Sequence, residues 1–119
     1  MKSILSVASV LLIVGNVAAI CPGFNFGISN VQPLTGGFNR WDVYDNSCDI
    51  VDSLTTDENP CDLTVHNIFT CGPPPNTPPI LFTGYTSSLT GTKYACRPDS
   101  GAGSCGSTGI SVCCRNDSQ

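Results

Sequence analysis

The chain has 119 residues, with nine Asp/Glu against five Lys/Arg and a single histidine, for a net charge of −4. That acidic balance argues against a nucleic-acid-binding surface, which is normally a basic patch or stripe, and against a cationic membrane-lytic helix. Its eight cysteines form an even set in a short chain, which reads as four disulfides. Bonded sulfurs are neither nucleophiles nor zinc ligands, and Cys113-Cys114 lacks zinc-ligand spacing, so no metal or other cofactor is expected.

The N-terminus carries an export pattern. Lys2 is the positive start, and Ile4 to Val14 is a short apolar run broken by Ser6 and Ser9. Gly15 and Asn16 end the run, and Val17-Ala18-Ala19 places small residues at a cleavage position. This is the three-part plan of a secretory signal, and the run falls short of the roughly 20 apolar residues a membrane span needs. Residues 1–19 are therefore expected to be removed, leaving 20–119 as one secreted, extracellular, monomeric domain with no membrane insertion. All nine acids remain in it against Arg40, Lys93, Arg97 and Arg115, a net charge of −5.

In chain order, Arg40-Trp41-Asp42-Val43-Tyr44 alternates and puts Trp41 and Val43 on one face, which favours core packing of Trp41 over a sugar-stacking role. A short helix is allowed over Asp49–Leu54, because Ile50, Val51 and Leu54 fall at helical spacing. Leu63-Thr64-Val65-His66 alternates again. Ile80-Leu81-Phe82-Thr83, Lys93-Tyr94-Ala95-Cys96 and Ile110-Ser111-Val112-Cys113-Cys114 complete a set of short β-type runs bounded by turn residues. The fold class expected is all-β: a small disulfide-stapled sandwich or barrel with long loops. Gly72–Pro79 holds five prolines, which favour polyproline II and preclude a central strand.

The cysteines are Cys21, Cys48, Cys61, Cys71, Cys96, Cys105, Cys113 and Cys114. Neighbouring residues on a strand point to opposite faces, so Cys113 and Cys114 are expected to staple one strand on both sides. Locality favours Cys61–Cys71 and Cys96–Cys105, leaving Cys21 and Cys48 for Cys113 and Cys114.

Candidate chemistry is sparse. Asp42, Asp45, Asp49, Asp52, Asp57, Glu58 and Asp62 follow one another with no intervening base. The stretch lacks the glycine and terminal glutamate of a calcium-binding EF-hand loop, so it reads as a solvated acidic loop rather than a metal site. Its Asp42, Asp45, Asp57 and Glu58, with Pro74, Pro75 and Asn76 of the proline segment, are candidate contact residues, since loops on a rigid scaffold commonly carry recognition. Glu58, His66 and Arg40 match the residue types of a small guanyl-type ribonuclease, an alternative that requires all three to line one open cleft. Another alternative is a protease inhibitor that presents the proline segment as a preorganised loop. Asn116-Asp117-Ser118 is a glycosylation sequon at Asn116.

Arg40-Trp41-Asp42-Val43-Tyr44-Asp45, Gly84-Tyr85, Lys93-Tyr94-Ala95-Cys96-Arg97 and Val112-Cys113-Cys114-Arg115 give the chain a resemblance to small secreted cysteine-rich proteins of fungi. The cysteine count is also similar to that of hydrophobins. That family places one Cys-Cys pair after its first cysteine and another before its last, whereas here Cys21 stands alone and the single pair closes the series. The resemblance implies a non-enzymatic interaction protein, either a host-directed virulence effector or a cell-surface component. Its partner would be an unidentified protein or cell-wall material, not nucleic acid.

Overall fold

The computed structural model describes residues 19–62, 65–72 and 81–116. Their strands are β1 (Phe26–Ser29), β2 (Gln32–Pro33), β3 (Asn39–Asp45), β4 (Ile50–Thr56), β5 (Phe69–Cys71), β6 (Phe82–Thr86), β7 (Lys93–Pro98), β8 (Ser104–Cys105) and β9 (Thr108–Arg115). All pairings are antiparallel. From β3 the sheet runs through β1, β9, β7 and β6 to β5, while β4 pairs with the other edge of β3. The all-β expectation holds, in the form of one curled sheet, a half-barrel stapled by four disulfides. None of the described helices is long and apolar enough to cross a membrane.

The curl follows from which faces are apolar. On β3, Trp41 and Val43 point to the concave side, where they join Ile28, Leu54, Phe69, Phe82, Tyr85, Val112 and Cys114 in the main core. Trp41 meets Phe82 edge-on at 5.9 Å although β1, β9 and β7 lie between their strands, so the sheet must bend back on itself. Tyr44, next along β3, points the other way. It packs with Ile20, Cys21, Ala102, Cys105, Ile110 and Cys113 in a second core on the convex face.

Cys113 and Cys114 therefore belong to opposite faces, as their adjacency on a strand requires. Cys113 bonds Cys21 and Cys114 bonds Cys96. Cys61–Cys71 is formed as locality favoured. The local Cys96–Cys105 pairing is not: Cys105 bonds Cys48 instead. The reason is register. Cys96 on β7 lies directly opposite Cys114 on β9, with Cα atoms 4.0 Å apart. Cys105 sits on a tight β8–β9 hairpin turned onto the convex core, where Cys48 of the β3–β4 turn reaches it.

Two other expectations are corrected. Residues 50–56 form strand β4 rather than a helix. A register shift beside Val43 and Tyr44 breaks the strand alternation, so Ile50, Val51 and Leu54 only mimic helical spacing. The run ending at His66 is not a strand there either: Val65 and His66 sit in a turn whose amides both donate to Asp62 O, at 3.1 and 2.9 Å. Leu63 and Thr64 lie outside the described residues.

The seam between the end strands is closed by side chains. At one end, Asp52 on β4 accepts from Tyr85 Oη at 2.8 Å, from the Ser88 amide at 2.9 Å and from Ser88 Oγ at 2.9 Å. Beyond β4, Cys61–Cys71 ties the following loop to β5. Burial, followed by the hydrogen bond to and charge of Asp52, raises the Tyr85 phenol well above its ordinary value. The folded state thus holds this proton more tightly than the unfolded chain. The contribution is complete below about pH 10, the unfolded value, and is lost as pH rises above it. Tyr85→Phe should lower stability at neutral pH by about 1–2 kcal/mol and flatten the alkaline decline. Urea unfolding at about pH 8 and about pH 11 checks both effects. An equally steep decline in the variant would place the alkaline sensitivity elsewhere.

Candidate functional site

Antiparallel order brings one end of β1, β3, β4, β6 and β7 together at the mouth of the half-barrel. An open cleft of about 850 Å³ lies there, within the usual size range of ligand pockets. Trp41, Phe82 and Val112 form its floor, each under 10 % exposed. Val31 and Leu81 also line it but are 46 % and 41 % exposed, so they form an apolar rim. The polar groups are Ser29, Asn30, Asn39, Asn59 and Ser111, and Glu58 is the one charged side chain among the described lining residues. Barrel mouths are recurrent ligand sites, because strand ends place side chains from several elements around one opening.

The Asp57–Asp62 part of the rim is braced locally. The Glu58 amide donates to Thr56 Oγ1 and the Cys61 amide to Asn59 Oδ1, both at 2.9 Å. Asp57 and Glu58 are exposed here, in line with their expected place in a polar loop. Asp42 and Asp45 are not part of such a loop. Asp42 is 4 % exposed on β3, where its carboxylate accepts from Arg40 Nε at 2.8 Å and Gln32 Nε2 at 2.9 Å. Its own amide donates to Ser29 Oγ at 3.0 Å. Asp45 shapes the β3–β4 turn by accepting from the Ser47 and Asp49 amides at 2.8 and 3.0 Å. The acidic stretch is thus a hairpin with its carboxylates dispersed. No group of three or more His, Cys, Asp or Glu side chains is placed to hold a metal among the described residues. Pro74, Pro75 and Asn76 lie outside the described residues. Asn116 is exposed at the end of β9, its amide donating to Asn25 Oδ1 at 2.9 Å.

Alternation implied that His66 lies on a strand. Instead, the Asp62 turn carries His66 back toward the rim, and its Nε2 lies 4.0 Å from Glu58 Oε1. That nitrogen is buried and makes no hydrogen bond. Arg40 is held by Asp42, and neither it nor His66 is among the described lining residues of the cleft. The three side chains of the ribonuclease alternative thus do not converge on this opening.

The cleft itself is not visible in the sequence. It draws single residues from strand ends far apart in the chain, so no local motif announces it. Comparison of the chain with protein-family models, with curated proteins and with solved structures found no match.

Proposed function

We propose that this is a secreted, non-enzymatic interaction protein, a fungal effector or cell-surface component whose recognition face is the mouth of the half-barrel. The coarser statement, a small disulfide-stabilised protein of the kind typical outside cells, rests on the four bonds. The observation that carries the finer reading is the cleft: an apolar floor, an exposed apolar rim, and a polar lining in which Glu58 is the one charged side chain among the described residues, all on a cross-linked scaffold. Such a site binds by shape and desolvation, and its rigidity limits the entropy lost on binding.

The test is capture from host extracts and from fungal wall material on immobilised protein. Wild type should retain a specific partner. Val31→Asp and Leu81→Asp, each introducing a charge at an exposed rim position, should lose at least tenfold in affinity with unchanged thermal unfolding. Recovery of no specific partner from either source, together with measurable turnover of a substrate, would overturn the reading.

A further inference from the structure

The walls of the mouth cleft discriminate between classes of occupant. Its strand-borne lining residues sit on β1, β3, β6, β7 and β9, each with a sheet neighbour on both sides. A peptide that joins a sheet needs an unpaired strand edge, which these strands do not offer. The floor rings are packed away: Trp41 and Phe82 are 6 % and 3 % exposed and meet edge-on. They leave no open ring face for a sugar to stack on. No Lys or Arg is among the described lining residues, and Arg40 is held by Asp42. An anionic head would therefore meet no countercharge there.

Two of the polar lining groups are already committed. Ser29 Oγ donates to Asn30 O at 2.9 Å and accepts from Gln32 Nε2 and the Asp42 amide at 3.2 and 3.0 Å. Asn59 Oδ1 accepts from the Cys61 amide at 2.9 Å. Glu58 differs. Its backbone amide is engaged by Thr56 Oγ1, but its exposed carboxylate accepts no hydrogen bond among the described residues, and His66 Nε2 stands 4.0 Å off. The cleft thus combines a buried apolar floor, an apolar rim at Val31 and Leu81, and one open acceptor charge at its edge.

We propose that the cleft takes a small amphiphile whose head donates hydrogen bonds, an amine or an alcohol, rather than a carboxylate or a phosphate. This rests on the mouth being the recognition face and narrows what it recognises. At about 850 Å³ the cleft is of the size that encloses a single small molecule. The apolar body covers Trp41, Phe82 and Val112 and supplies most of the affinity, in proportion to the apolar area removed from water. The head stays at the rim, where the Glu58 carboxylate accepts from it. Because Glu58 is solvated, its charge sets the preference between heads and adds little to affinity itself.

Trp41 is the chain's only tryptophan and part of the floor, so its emission reports on this cleft. The test is titration of the purified protein with decylamine, decanol and decanoate, following Trp41 fluorescence at about pH 8, where the amine is protonated and the acid ionised. Decylamine and decanol should bind, with decanoate several-fold weaker than decylamine. Glu58→Gln should remove most of that gap, as should high salt, and should leave decanol binding unchanged. Leu81→Asp should raise the Kd for decanol at least tenfold, while Leu89→Asp, outside the described lining, should not change it. No change in Trp41 emission with any probe, decanoate binding as tightly as decylamine, an unaltered gap in Glu58→Gln, or wild-type affinity for decanol in Leu81→Asp would each overturn the proposal. If one of these occurs while partner capture persists and is lost in Val31→Asp, the mouth remains a recognition face and only the ligand class falls.

Discussion

Replacing Cys21 and Cys113 together by alanine should cost about 4 kcal/mol or more. The two residues are 92 apart in sequence. The other bonds shorten the effective loop, since Cys48–Cys105 already joins its interior. Roughly 35 residues of loop remain to be closed, which gives that figure. Both cysteines are also fully buried in the convex core, so truncation removes packing as well as the cross-link. For a domain of this size the loss corresponds to a fall in Tm of about 15–30 °C. Thermal unfolding under non-reducing conditions measures it. An unchanged Tm would mean that the N-terminal segment is not pinned to β9.

Phe69→Ala should be the most damaging single core substitution, at about 3–5 kcal/mol. Phe69 is fully buried on a three-residue end strand, stacked on Phe82 at 4.5 Å and tilted against Tyr85 at 6.2 Å. So short a strand contributes few ladder hydrogen bonds, and its place depends on this ring and on Cys61–Cys71. Phe69→Leu should retain most of the stability, because it keeps most of the buried volume. Urea unfolding of the two variants compares them. Equal midpoints for Phe69→Ala and wild type would show that β5 does not close the core.

Residue pattern exposed part of this structure. β3, β7 and β9 carry clear alternation or β-rich runs, and each is a strand. β1 passed unnoticed because Gly27 interrupts its apolar run, and the three residues of β5 are too few to show a period. At β4, alternation is broken by a bulge, which local pattern reading cannot foresee. Cysteine pairing divided the same way: the ten-residue Cys61–Cys71 loop was visible from locality, and Cys96–Cys114 was not, because it depends on which residues of β7 and β9 face each other. The Glu58–His66 approach was missed because it depends on a turn at Asp62 where alternation implied a strand.

The central structural claim is that one sheet is curled and stapled on both of its faces, and disulfide mapping tests it most directly. Cleavage alone leaves Cys113 and Cys114 on one peptide, so the unreduced protein needs partial reduction with stepwise alkylation before mass spectrometry. The account predicts Cys21–Cys113, Cys48–Cys105, Cys61–Cys71 and Cys96–Cys114, with no free thiol. Recovery of Cys96 bonded to Cys105, or of any alkylatable thiol before reduction, would contradict it.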